Sequence, residues 1–168
     1  RGEPAIIDKH FRTRAALNSG VDIVLELPYP YAVQSSELFA KGALRSLHEL
    51  GVDSICFGSE IGSIEPFIQT VHTLNKSQNK YDNLVKHYMY QGYAFPQASN
   101  EAYKKIGISS LDIMQPNNIL GLSYTKTIIN EHLTIKPLTI KRINNDYHDE
   151  TINDHIASAT SIRKALHK

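Results

Sequence analysis

Val21-Asp22-Ile23-Val24-Leu25-Glu26-Leu27 is a run dominated by Val, Ile and Leu, and Pro28-Tyr29-Pro30 ends it abruptly. A short apolar run bounded by turn residues reads as a strand buried on both sides. Residues 34–50 follow with a helical pattern, Ala43, Leu47 and Leu50 lying on one side and Gly51 closing the element. The next apolar run, residues 54–57, comes at once. Strand, helix and strand in that order predict a parallel sheet, and open parallel sheets bind ligands beyond the carboxyl ends of their strands. Glu26 and Tyr29 to Tyr31 then lie on the functional rim. Gly58-Ser59-Glu60 reads as a turn after the second strand. The missing side chain of Gly58 fits either a simple tight turn or a nucleotide lying against the backbone.

Upstream, Gly2 and Pro4 favour a loop, and residues 8–19 look helical, with Phe11, Ala15 and Leu17 available for burial and Gly20 as the stop. Lys9, Arg12 and Arg14 form a basic face, by default a solvated one. Downstream, residues 63–90 are helical in pattern, with Ser63 as the cap, Glu65 and Pro66 in the first turn and a second helix from about Tyr81. Tyr90, Tyr93, Phe95 and Tyr103 read as an aromatic cluster that core packing explains best, base stacking being the alternative if the rings are exposed. Phe95-Pro96 reads as the end of one helix, and residues 97–106 as another, stopped by Gly107. No His and carboxylate spacing in this region has the form of a metal site. Pro116-Asn117-Asn118 starts a helix that carries Ile119, Leu122, Ile128 and Ile129 toward the core. The two amides fit capping, and they also fit contacts to adenine or ribose edges.

Residues 138–140 form the last clear strand, which delivers Lys141 and Arg142 to its carboxyl end. Tyr147-His148-Asp149 follows within one loop. His148 fits a general base or an RNA contact, although adjacent residues need not face each other as a dyad. The chain then reaches Ser158-Ala159-Thr160-Ser161-Ile162-Arg163-Lys164, three hydroxyl residues before a short helical run. Free N–H groups at a helix start, hydroxyl donors and an Arg fork suit an anion with several oxygens, phosphate above all. An ordinary capped helix with a basic tail explains the same residues equally well.

With 168 residues, 41% hydrophobic and 21% charged, the chain is long enough for one domain with a sizeable core. A formal net charge of +1 supplies no global basic field, so an RNA partner has to be held by a local patch or by other parts of a longer protein. Cys56 is the only cysteine, which excludes an internal disulfide and a Cys-based zinc site and suits a reducing compartment. Its apolar surroundings predict inert packing. The longest apolar runs are far too short to cross a bilayer.

Arg1-Gly2-Glu3-Pro4-Ala5, residues 20–28, Phe57-Gly58-Ser59-Glu60, residues 116–121, Lys141-Arg142, Tyr147-His148-Asp149 and the Ser158 to Arg163 stretch occur in one order. That order resembles the bacterial tRNA(Met) cytidine acetate ligase family, whose members have a Rossmann-like, HUP-type nucleotidyltransferase fold with a helical insert. The resemblance implies an α/β domain over residues 1–168 with its insert at about 63–107. It also implies an ATP-dependent enzyme that activates acetate as acetyl-adenylate and acetylates N4 of the wobble cytidine 34 of elongator tRNA(Met), in the cytoplasm, with Mg2+ accompanying the triphosphate. By the same resemblance Arg142, Arg163 and Thr160 are the catalytic candidates, and Gly58, Asn117, Asn118, Arg142, Ser158 and Ser161 hold the nucleotide, Asn118 in preference to Asn117. Gly58 and Ser158 are expected to face one crevice. One departure stands out: the HxGH-type turn with which family members open has no counterpart here, so the chain is expected to be the middle of a longer protein whose earlier segment completes the site. Two other functions compete, a small-molecule adenylyltransferase and a non-catalytic nucleotide- or RNA-binding module.

Overall fold

A computed structural model describes residues 5–142 and 159–166. In chain order the elements are α1 (Lys9–Asn18), α2 (Tyr29–Ala32), α3 (Ser36–Glu49), β1 (Ser54–Ser59), α4 (Glu65–Lys76), α5 (Gln78–Tyr90), α6 (Phe95–Lys105), α7 (Pro116–Asn130), β2 (Lys136–Lys141) and α8 (Ala159–Leu166). The expected parallel sheet is present, with β1 paired to β2 so that Ser54 lies opposite Lys136 and Ser59 opposite Lys141. Parallel strands need a long crossover, and the chain from α4 to α7 supplies it.

Residues 21–27 do not form the expected strand. They carry no regular structure, with a bend at Asp22, they pair with no strand among the described residues, and Ile23 is 68% exposed. An apolar run becomes a strand only when a neighbour satisfies its backbone and covers its side chains, and the described residues place no such neighbour beside this one. The same shortage applies to α1, where Phe11 and Leu17 are exposed although Asp8 caps the helix through the Phe11 N–H at 2.8 Å.

The sheet follows the two-residue period of a pleated strand. Ile55, Phe57, Pro137 and Thr139 turn toward the helices, whereas Cys56, Leu138 and Ile140 are exposed. Cys56 is therefore on the open face, not packed inside as its apolar neighbours predict. α7 covers the inner face. Its Leu122 joins Phe67, Val71, Leu111 and Ile113, and its Ile128 joins Leu44 and Ile135. Gly121 permits this contact, because a Cβ there would lie 2.4 Å from the Phe57 ring and 2.9 Å from the Phe67 ring. Ile119, expected in the core, is exposed.

On α3 the buried stripe is Ala40 and Leu44 with Leu47 beside it, one turn earlier than expected, and Leu50 is exposed. Ile64, not Ser63, stands at the N-cap of α4. Phe95 and Pro96 start α6 instead of ending α5, consistent with the tolerance of Pro in a first helical turn, and α5 runs from Gln78 to Tyr90. The four-ring aromatic cluster does not form. Tyr90 is 92% exposed and Phe95 60%, while Tyr103 packs on Tyr81 at 4.8 Å between ring centroids.

Glu131 ties the end of α7 to α3, its carboxylate taking the Arg45 Nε–H at 2.8 Å and lying 2.9 Å from Lys41 Nζ. The hydrogen bond from Arg45, and after it Lys41, hold the Glu131 carboxyl below the usual glutamate range. A depressed folded-state pKa contributes stability above the ordinary value, and that contribution is lost as the pH falls through the depressed value. Glu131→Gln is therefore expected to cost about 0.5–1 kcal/mol at neutral pH and almost nothing at an acid pH below the depressed value. Urea unfolding of parent and variant at both pH values checks this.

Candidate functional site

The carboxyl ends of β1 and β2 are drawn together by a turn that only certain residues allow. Ser59 is fully buried, and its Oγ accepts the Gly62 N–H at 2.9 Å while lying 2.8 Å from the Thr139 hydroxyl. Gly62 has a φ of 71°, and a Cβ on it would approach Lys141 Cβ to 2.5 Å. Glycine is thus required on both counts. Beyond Ser59 O, which accepts the Arg142 N–H at 2.9 Å, β2 ends.

Between the turn and α7 stands Glu60. Its carboxylate accepts the Asn118 backbone N–H at 3.0 Å and Asn117 Nδ2 at 2.7 Å. A helix start leaves such N–H groups without intrahelical partners and favours negative charge, so Glu60 caps α7 from across the sheet. The Glu60 N–H in turn donates to Asn118 Oδ1 at 3.2 Å, and Asn118 Nδ2 donates to Asp112 O at 2.9 Å. Glu60→Ala is expected to cost about 1–2 kcal/mol, as loss of a helix cap does, and Glu60→Gln, which keeps one acceptor oxygen, less than half of that. Thermal unfolding of the two variants gives the comparison.

The expected site residues fall into three groups. Gly58, Asn117 and Arg142 come together. Gly58 lies within β1, not in a turn, at its second-last position, and a Cβ there would touch Arg142 Cγ at 3.4 Å. Arg142 is exposed, and its Nη1 points to Asn117 Oδ1 at the long distance of 3.5 Å. Among the described residues no carboxylate pairs with it. Asn118 is adjacent in sequence but turned inward. At 2% exposure, with its amide engaged by Glu60 and Asp112, it fixes the α7 start and leaves Asn117 as the amide facing the rim. Arg163, Thr160 and Ser161 all lie on α8, as the hydroxyl-rich helix start predicts, with Arg163 half-buried. Among the described residues α8 makes no close backbone approach to the other elements. Ser158, Tyr147, His148 and Asp149 lie outside the described residues, and so does the expected juxtaposition of Gly58 with Ser158.

Sequence reasoning gave Glu60 and Gly62 no role. Glu60 was visible as an acid after a strand end, but only the fold shows that it reaches a helix start 57 residues away. No group of three or more His, Cys, Asp or Glu side chains is gathered as a metal site among the described residues. Nor is any of their helices long and apolar enough to cross a membrane. Chemically, the rim among the described residues offers a guanidinium with no carboxylate partner, a positioned amide and a glycine one residue before the strand end, which suits an anionic ligand.

Comparison with known proteins points the same way. Over 168 residues the chain is 55% identical to the tRNA(Met) cytidine acetate ligase of Oceanobacillus iheyensis, covering 99% of this chain and 42% of that protein. The corresponding ligase of Anoxybacillus flavithermus is 54% identical over the same shares. The fold matches the crystal structure of apo Thermotoga maritima TmcAL with a TM-score of 0.85 at 31% identity, covering 98% of this chain and 41% of that one. Against TmcAL bound with alpha-thio ATP the TM-score is 0.79 at 31% identity, covering 98% and 39%. The chain therefore spans about two fifths of the length of the relatives it matches, and its fold is the Rossmann-like nucleotidyltransferase architecture with a helical insert. Residues 1–168 match the HIGH Nucleotidyl Transferase family in full, and the chain belongs to that family.

Proposed function

We propose that this chain is the nucleotide-binding part of an ATP-dependent tRNA(Met) cytidine acetate ligase. The observation that carries this reading is Arg142, unpaired with any carboxylate among the described residues, its aliphatic stem against Gly58 and its guanidinium directed to Asn117, where two parallel strands end. Relatives named as that ligase and a neighbour holding alpha-thio ATP support it. In the first step an acetate oxygen attacks the α-phosphorus of ATP, the bond to the bridging oxygen breaks, and pyrophosphate leaves with acetyl-adenylate remaining. In the second, N4 of the wobble cytidine 34 of elongator tRNA(Met) attacks the acetyl carbonyl, AMP leaves, and N4 loses a proton.

Arg142 offsets charge on the transferring and leaving groups, Asn117 orients the nucleotide, and the bare backbone at Gly58 lets it lie close. Thr160, Ser161 and Arg163 on α8, with Ser158 preceding them, supply the phosphate side of the clamp. Mg2+ bound to the triphosphate would neutralise part of its charge. The domain over 1–168, with its insert at about 63–107, works with the rest of a longer cytoplasmic protein. Acetate-dependent ATP–pyrophosphate exchange by the full-length protein tests the reading. Exchange that requires acetate supports it, and exchange indifferent to acetate favours a small-molecule adenylyltransferase.

A further inference from the structure

Away from the rim, a cavity of about 730 Å3 opens between the start of α3, α5, α6 and α7, within the roughly 300–1,000 Å3 typical of small-molecule sites. It shares α7 with the rim: Asn117 faces Arg142, and Ile119, two residues on, lines the cavity. Its walls include the rings of Tyr81, Phe95 and Tyr103, and the hydroxyl of Tyr81 has those of Ser99 and Tyr103 as neighbours. Tyr81 Oη lies 2.7 Å from Ser99 Oγ, and either can donate. Burial, with Tyr81 beside it, pushes the Tyr103 phenol far above its usual range, so it stays protonated at any working pH. The charged side chains of the lining sum to zero: Glu37 pairs with Lys126, and Asp82, which accepts from Gln78 Nε2 at 2.8 Å, and Lys86 add one charge of each sign.

Aromatic faces, neighbouring hydroxyl groups and a lining of zero net charge fit a flat, uncharged molecule that carries both donors and acceptors. Nucleobases have this chemistry, and unpaired bases are held by stacking on aromatic rings and by hydrogen bonds to their edges. We propose that this cavity receives one unpaired base of the RNA substrate. The proposal rests on the reading of the chain as part of a tRNA-modifying enzyme.

The test uses full-length protein, tRNA(Met) transcript and two variants, Phe95→Ala and Tyr81→Phe. Phe95 is largely exposed, so its truncation leaves the fold intact, which the thermal midpoint verifies. The KM for tRNA is expected to rise about tenfold in Phe95→Ala and less in Tyr81→Phe, with a smaller change in the KM for ATP. Free cytidine should compete with tRNA in the parent and compete less well in Phe95→Ala. An unchanged KM for tRNA in both variants would overturn the proposal. A rise confined to the KM for ATP would do so too, by placing adenine in the cavity, and so would cytidine binding as tightly as the tRNA, which would assign the cavity to a free nucleoside. A parent that never acetylates tRNA would instead defeat the functional reading, before any variant is compared.

Discussion

Arg142→Ala in the full-length protein is expected to lower acetate-dependent ATP–pyrophosphate exchange by about 10²–10³-fold, the usual effect of removing one positioned donor from developing charge. Among the described residues the Arg142 side chain has no ion pair, and its one hydrogen bond, to Asn117, is 3.5 Å long. Folding should therefore change by no more than about 0.5 kcal/mol. Arg142→Lys is expected to recover only part of the rate, since a point charge cannot reproduce a planar fork. Exchange assays paired with urea unfolding separate the two effects. A variant that loses rate and stability in proportion would make Arg142 a structural residue.

The largest loss of stability is expected from Phe67→Ala, at about 3–5 kcal/mol. Phe67 is fully buried on α4 among Val71, Leu111, Ile113 and Leu122, and meets the Phe57 ring edge-on at 5.6 Å. Against a typical domain stability of about 5–15 kcal/mol, that loss is a large fraction of the whole. Phe57 immediately precedes Gly58, so loosening the ring pair should also loosen the rim. Phe95→Ala is the internal contrast, because its ring is mostly in solvent and should cost less than about 1 kcal/mol. Denaturant unfolding of both variants gives the measurement, and equal midpoints would contradict the assigned core.

Local signals in the sequence located most helices and both strands, because capping, periodicity and glycine stops act within one element. Residues 8–19 do hold a helix, Pro116 does open α7, and residues 138–140 do deliver Lys141 and Arg142 to a strand end. What failed depended on neighbours. Residues 21–27 have the composition of a buried strand, but strand formation belongs to a pair of segments. Cys56 sits in an apolar run, yet its side of the pleat is uncovered. Phe95-Pro96 was ambiguous locally, since proline both ends helices and begins them. At the site, the motif residues Gly58, Asn117 and Arg142 could be picked out one by one. That Glu60 divides the two amides, holding Asn118 inward and Asn117 at the rim, depends on a contact across the sheet that no spacing encodes.

The central claim is that nucleotide phosphates are held where β1 and β2 end. The most direct measurement is a crystal structure of the full-length protein with a non-hydrolysable ATP analogue. The account predicts phosphate oxygens within hydrogen-bonding distance of the Arg142 guanidinium, with the nucleotide lying against the Gly58 backbone and Asn117 turned toward it. An analogue bound away from that rim, with Arg142 in solvent, would contradict it.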